Sequence, residues 1–211
     1  MLGGAALRPA HFLPIGVEGS TEEIARQIGF RNDPAKAKEL LAKGGFADGF
    51  EFEIAYGNAA VQGVTYQDLA QKIQSDVARV GIKATLKPMD QVNLRTEFTG
   101  GKAKGGVLTF WNPPAVDNLL WAAAVVQRVA KRVHWDVPKE VYDIAFKAYV
   151  EPDAKKRADM WVDWQKVLVD QANHFILFQP AYQIAVRNAI GDFPLTASGW
   201  MLDLYGVKPK A

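Results

Sequence analysis

FEFEIAYGNAAVQGVTYQDLAQKIQSDVARVGIKATL, residues 50–86, is the stretch whose reading decides the fold. Phe50–Tyr56 alternates apolar and polar residues at period two, which predicts a strand. Across Val64–Val80, Leu69, Ile73, Val77 and Val80 recur at three- and four-residue steps, which predicts an amphipathic helix ended by Gly81. Ile82–Leu86 is then a second strand. Strand, helix, strand at this spacing is a β-α-β unit, for which parallel pairing and a right-handed crossover are strongly preferred.

The same signals extend on both sides. Upstream, Asp33-Pro34 caps and opens a helix that closes at Gly44-Gly45, and Ser20 or Thr21 can cap a shorter one over Thr21–Phe30. The Gly- and Pro-punctuated residues 1–20 carry no period and read as a connecting segment. Downstream, a polar helix is expected at Gln91–Phe98 and a third strand at Gly105–Trp111, stopped by Pro113-Pro114. Helices follow at Lys139–Tyr149 and Ala154–Gln171. His174–Phe178 and Tyr182–Arg187 are expected to form a strand pair around residues 179–181, and residues 192–211 form a tail. Strands alternating with helices argue for an α/β domain spanning residues 21–191.

Composition bounds the function. The 211 residues are 49% hydrophobic, enough for a real core, and 25 basic against 23 acidic residues leave a net charge of only +2. The charges are mixed, so neither a nucleic-acid partner nor membrane insertion is expected. The densest basic stretch, Arg128–Arg132, reads as a solvated face. Absence of cysteine removes thiolate metal sites, catalytic thiols and disulfides. His11, His134 and His174 are not at metal-ligand spacing, so no metal is expected. The sequence has no Gly-x-Ser-x-Gly, phosphate-loop or dinucleotide fingerprint, and no cofactor is expected. Asp90, Asp117 and Asp136 would serve a carboxylate-pair hydrolase only if the fold joined two of them, and helix caps account for such residues equally well.

Four segments carry a family resemblance, in order along the chain. DPAKAKELLAKGGFADGFEFEIAYG (33–57), DLAQKIQSDVARVGIKATLKPMD (68–90), GGVLTFWNPPAVDNLLW (105–121) and EPDAKKRADMWVDWQKVLVDQANHFILFQPAYQIAVRNAIGDF (151–193) resemble the family 5 solute-binding proteins of ABC importers, the dipeptide, oligopeptide and nickel type. The resemblance implies one lobe of a type II periplasmic-binding fold, a mixed sheet flanked by helices, with a tail crossing towards a first lobe. It implies a fragment or separated domain of an extracytoplasmic, non-enzymatic protein that binds a small solute and docks on ABC permease subunits. A stand-alone one-lobed interaction module is the other reading.

The resemblance also nominates a ligand site. Trp111 stands where the family has a cleft-wall tryptophan, flanked by Phe110 and Asn112. Peptide binders of the family keep an aspartate three residues later, where this chain has Pro114. Asp117 could take over that pairing, or cap the helix that follows. Free-peptide recognition is thereby set beside an opine, a sugar or another polar small molecule.

Overall fold

The computed structural model describes residues 6–61, 63–110, 117–120, 122, 126–180, 185–193 and 204–210. From the N-terminus, strand β1 (Ala6–Leu7) is followed by α1 (Glu22–Ile28), α2 (Pro34–Lys43) and strand β2 (Glu51–Gly57). A small hairpin of β3 (Ala60–Val61) and β4 (Val64–Thr65) leads into α3 (Tyr66–Ala78), then β5 (Lys83–Met89), α4 (Gln91–Thr99) and β6 (Gly106–Leu108). The second half comprises α5 (Gln127–Val133), α6 (Lys139–Val150), α7 (Ala154–Gln171), β7 (Gln179–Pro180), β8 (Ile190–Asp192) and β9 (Lys208–Pro209).

The helices begin where capping chemistry places them. Thr21 accepts from the Ile24 amide at 3.2 Å, Asp33 from Lys36 at 2.9 Å and Asp153 from Lys156 at 3.0 Å. Val64 and Thr65, expected inside the long helix, instead pair with β3, and the Thr65 hydroxyl caps α3 through the Asp68 amide at 3.0 Å.

β2, β5 and β6 form a three-stranded sheet in the order β5-β2-β6. Both pairings are parallel, Glu51 to Gly57 lying opposite Lys83 to Met89, and Ile54 to Tyr56 opposite Gly106 to Leu108. The β-α-β expectation holds. Antiparallel pairing occurs in separate ladders, β1 with β7, β3 with β4 and β8 with β9.

Two hydrophobic clusters share the molecule. Ile54, Tyr56, Leu69, Ala70 and Ala84 seal α3 onto one face of the sheet. Val129, Val141, Trp161, Trp164 and Leu168 join α5, α6 and α7, and Phe12 and Leu13 pack into the same cluster. The connecting segment therefore also supplies core. Its polar backbone is met by side chains from elsewhere, the Gln165 amide donating to Gly19 O and Asn118 to Glu18 O, each at 2.8 Å, and Arg157 donates to the Glu18 carboxylate at 2.9 Å.

The strand expected at His174–Phe178 is not formed. Burial does alternate there, with Phe175 and Leu177 exposed between half-buried His174, Ile176 and Phe178. Among the described residues the first ladder partner is met at Gln179-Pro180, which pairs with Ala6-Leu7. Residues 182–184 of the expected second strand lie outside the described residues, and 185–187 are not in a strand.

Candidate functional site

β6 is an edge of the sheet, paired among the described residues only with β2. Beside it opens a cleft of about 1710 Å³. Val107, Leu108 and Phe110 carry one wall, Leu69 and Ile73 of α3 another, and Val129 and Arg132 of α5 a third. A cleft lined by apolar and basic side chains gives the features of a ligand crevice: area to cover and a few polar groups to orient. A smaller groove of about 430 Å³ between α6 and α7 is lined by Glu140, Lys147, Asp163 and Lys166, and is a charged, solvated surface depression.

Of the expected ligand residues, Phe110 lies on the cleft wall and is 45% exposed, so its ring is available to a solute. Asp117 is exposed, and its carboxylate accepts from the Leu120 amide at 2.8 Å, the capping role anticipated as its alternative. It is not among the described lining residues of the cleft. Trp111 and Asn112 lie outside the described residues, as do Pro114, Trp121 and Trp200.

The histidines are placed by the fold in ways their spacing does not reveal. His134 caps α5 in the left-handed conformation (φ 53°), and its Nε2 is 2.8 Å from Gly101 O. His11 and His174, distant in sequence, meet with ring centroids 6.4 Å apart. Phe12 and Trp135 surround His174 at 5.0 and 5.7 Å. Burial, then the proximity of His174, lowers the His11 pKa to about 3, although the His174 backbone offsets part of this. Burial alone lowers His174 to about 4. Both rings are therefore neutral near pH 7 and pack as apolar groups. Among the described residues no set of three or more His, Cys, Asp or Glu could hold a metal ion.

The acids proposed for catalysis are occupied otherwise or open to solvent. Asp90 caps α4 through the Val92 and Asn93 amides at 2.9 and 3.2 Å, and Asp136 is exposed. Trp161 and Trp164 are core residues, 2% and 0% exposed, with their rings edge to face at 5.9 Å. The basic stretch of α5 is only partly a solvated face. Val129 and Ala130 are buried, and the Arg132 guanidinium lies 5.2 Å from the centroid of Phe98 on α4. Sequence carried no signal for that contact.

Comparisons with known proteins bear on the fold and the family. A glutathione-binding protein of Salmonella typhi is 36% identical over 80 residues, which is 37% of this chain and 15% of that protein. A structure of HbpA2 from Haemophilus parasuis superposes with a TM-score of 0.71 at 20% identity, covering 100% of this chain and 41% of that one. A dipeptide-binding protein from Pseudoalteromonas sp. SM9913 in complex with Met-Leu gives 0.68 at 18% identity, covering 99% and 41%. NikA from Brucella suis in complex with Fe(III)-EDTA gives 0.70 at 16% identity, covering 98% and 43%. These structures establish the periplasmic-binding-protein fold, and this chain spans well under half the length of each. Residues 1–127, more than half of the chain, match the family described as bacterial extracellular solute-binding proteins, family 5 Middle. The chain belongs to that family of solute-binding proteins.

Proposed function

We propose that this chain forms one wall of the inter-lobe cleft of an extracytoplasmic protein that captures a small polar solute of peptide-like type for an ABC importer. The observation that carries the reading is the cleft beside β6, which pairs among the described residues only with β2, with Phe110 on its wall, in a chain of the solute-binding family. In this reading a second lobe closes over the cleft and excludes water, strengthening every polar contact inside. Among the described residues the outer edge of β6 has no strand partner and can meet an extended ligand. Phe110 offers flat apolar area just beyond the strand's C-terminal end, and the family resemblance gives Trp111 the same role. Asn112 orients polar groups of the solute. Asp117, held by its cap, serves a solute amine only if that cap opens. The ligand of the glutathione-binding relative and the Met-Leu of the structural neighbour support a peptide-like solute. The permease subunits of the importer are the protein partner.

The test is Trp111→Ala in the longest natural form of the protein, with ligands first found by thermal-shift screening of short peptides, opines and sugars. Affinity for the best ligand should fall by about 1–3 kcal/mol, the scale of losing an aromatic platform. Unchanged affinity by calorimetry would make Trp111 structural and remove the aromatic wall from the proposal.

A further inference from the structure

The charges on the cleft wall are not balanced. Among its described residues Arg8, Arg31, Lys72, Arg79 and Arg132 supply five cations, against the two carboxylates of Asp33 and Asp76. Both carboxylates are engaged, Asp33 in capping α2 and Asp76 in an ion pair with Lys72. This imbalance contrasts with a chain whose net charge is only +2.

Arg132 is the best-placed of the cations. It is half-buried at the cleft, its guanidinium backed by Phe98, so its position is fixed at less entropic cost than that of a free arginine. Arg128 lies one turn before it on α5, and Arg95 lies on α4, which packs against α5. Among the described residues none of Arg95, Arg128 and Arg132 has a carboxylate within ion-pair distance. Partial burial, then repulsion from Arg128 and Arg95, holds Arg132 below the usual arginine range. Three like charges gathered without a counterion are mutually unfavourable, and a bound anion relieves that repulsion. Low-dielectric walls around such a group also focus its field on the cleft.

We propose that the cleft selects solutes bearing negative charge, with Arg132 receiving an anionic group such as a carboxylate and Arg95 and Arg128 reinforcing it. This rests on reading the cleft as the solute site. Guanidinium geometry suits a carboxylate, which can accept two parallel N–H donors.

The probe is citrate, titrated calorimetrically into the chain at low ionic strength. Saturable binding should weaken as salt is raised, and about tenfold in Arg132→Gln, the loss of one charge-assisted contact. The double variant Arg95→Gln, Arg128→Gln removes two exposed charges without touching the Phe98 contact, and should weaken citrate comparably even if Arg132→Gln folds poorly. Lys155→Gln, an exposed charge on α7 outside the cleft, should leave citrate binding unchanged. No citrate binding, equal binding by the arginine variants, or equal loss in Lys155→Gln would overturn the inference. The two tests fail separately: unchanged affinity in Trp111→Ala with citrate binding intact removes the aromatic wall alone, and absent citrate binding with the Trp111 effect intact removes the charge preference alone.

Discussion

Gly19 shows how much a single position can carry. Its φ is +72°, and a Cβ built there would lie 2.6 Å from the Cβ of Trp161 and 2.8 Å from Ala158 O. Neither neighbour can give, because one is helix backbone and the other the root of a buried indole. Gly19→Ala should therefore destabilise the fold by about 2–4 kcal/mol, combining left-handed strain with overpacking. Chemical denaturation measures it, and a loss under about 0.5 kcal/mol would show that the segment simply moves away. His11 and His174 set a second residue-scale expectation. Their folded pKa values, about 3 and about 4, lie below the ordinary 6.5, so the unfolded chain binds protons that the folded one refuses. Stability is then full above pH 6.5 and falls as pH drops from there towards the folded values, by up to about 1.4 kcal/mol per pH unit for each ring. Replacing both by Phe should flatten the stability profile between about pH 6.5 and pH 4; an unchanged slope would assign the acid sensitivity elsewhere.

At the scale of elements, α7 is the keystone of the second cluster. Trp164 is 0% exposed and packs with Trp161, while Gln165 ties the helix to Gly19. Trp164→Ala should cost about 3–5 kcal/mol, read as a shift in denaturation midpoint at constant slope. A loss below about 1 kcal/mol would mean that the cluster can collapse around the deletion. The bounds of α7, Ala154–Gln171, were legible in the sequence because Asp153 supplies a local cap and the apolar residues keep a helical period. β2 and β5 were legible for the same reason, each within one residue or a few of its pattern. The segment 174–178 was not. Its alternation specifies which side chains turn inward, but a strand also needs a partner, and β7 finds that partner in residues 6–7 at the other end of the chain.

For the whole molecule, the proposal makes this chain half of a binding surface. It should bind a neutral short peptide far more weakly than the longer protein does, since closure by a second wall supplies much of the buried area. Equal affinity in parallel titrations would instead make the chain a self-sufficient binding module. Local chemistry determined most of the helix starts and the parallel β-α-β core, because caps, periods and turn glycines act over a few residues, while the order of four segments along the chain carried the family resemblance. Phe110 was nominated by the family resemblance, as the neighbour of Trp111, and it lies on the wall of the cleft. Only the tertiary structure decided that residues 12 and 13 are core, that His11 meets His174, and that Arg132 lies on Phe98 beside an excess of positive charge. Those contacts join residues far apart in the chain, and no periodicity or spacing specifies which distant surfaces burial will bring together.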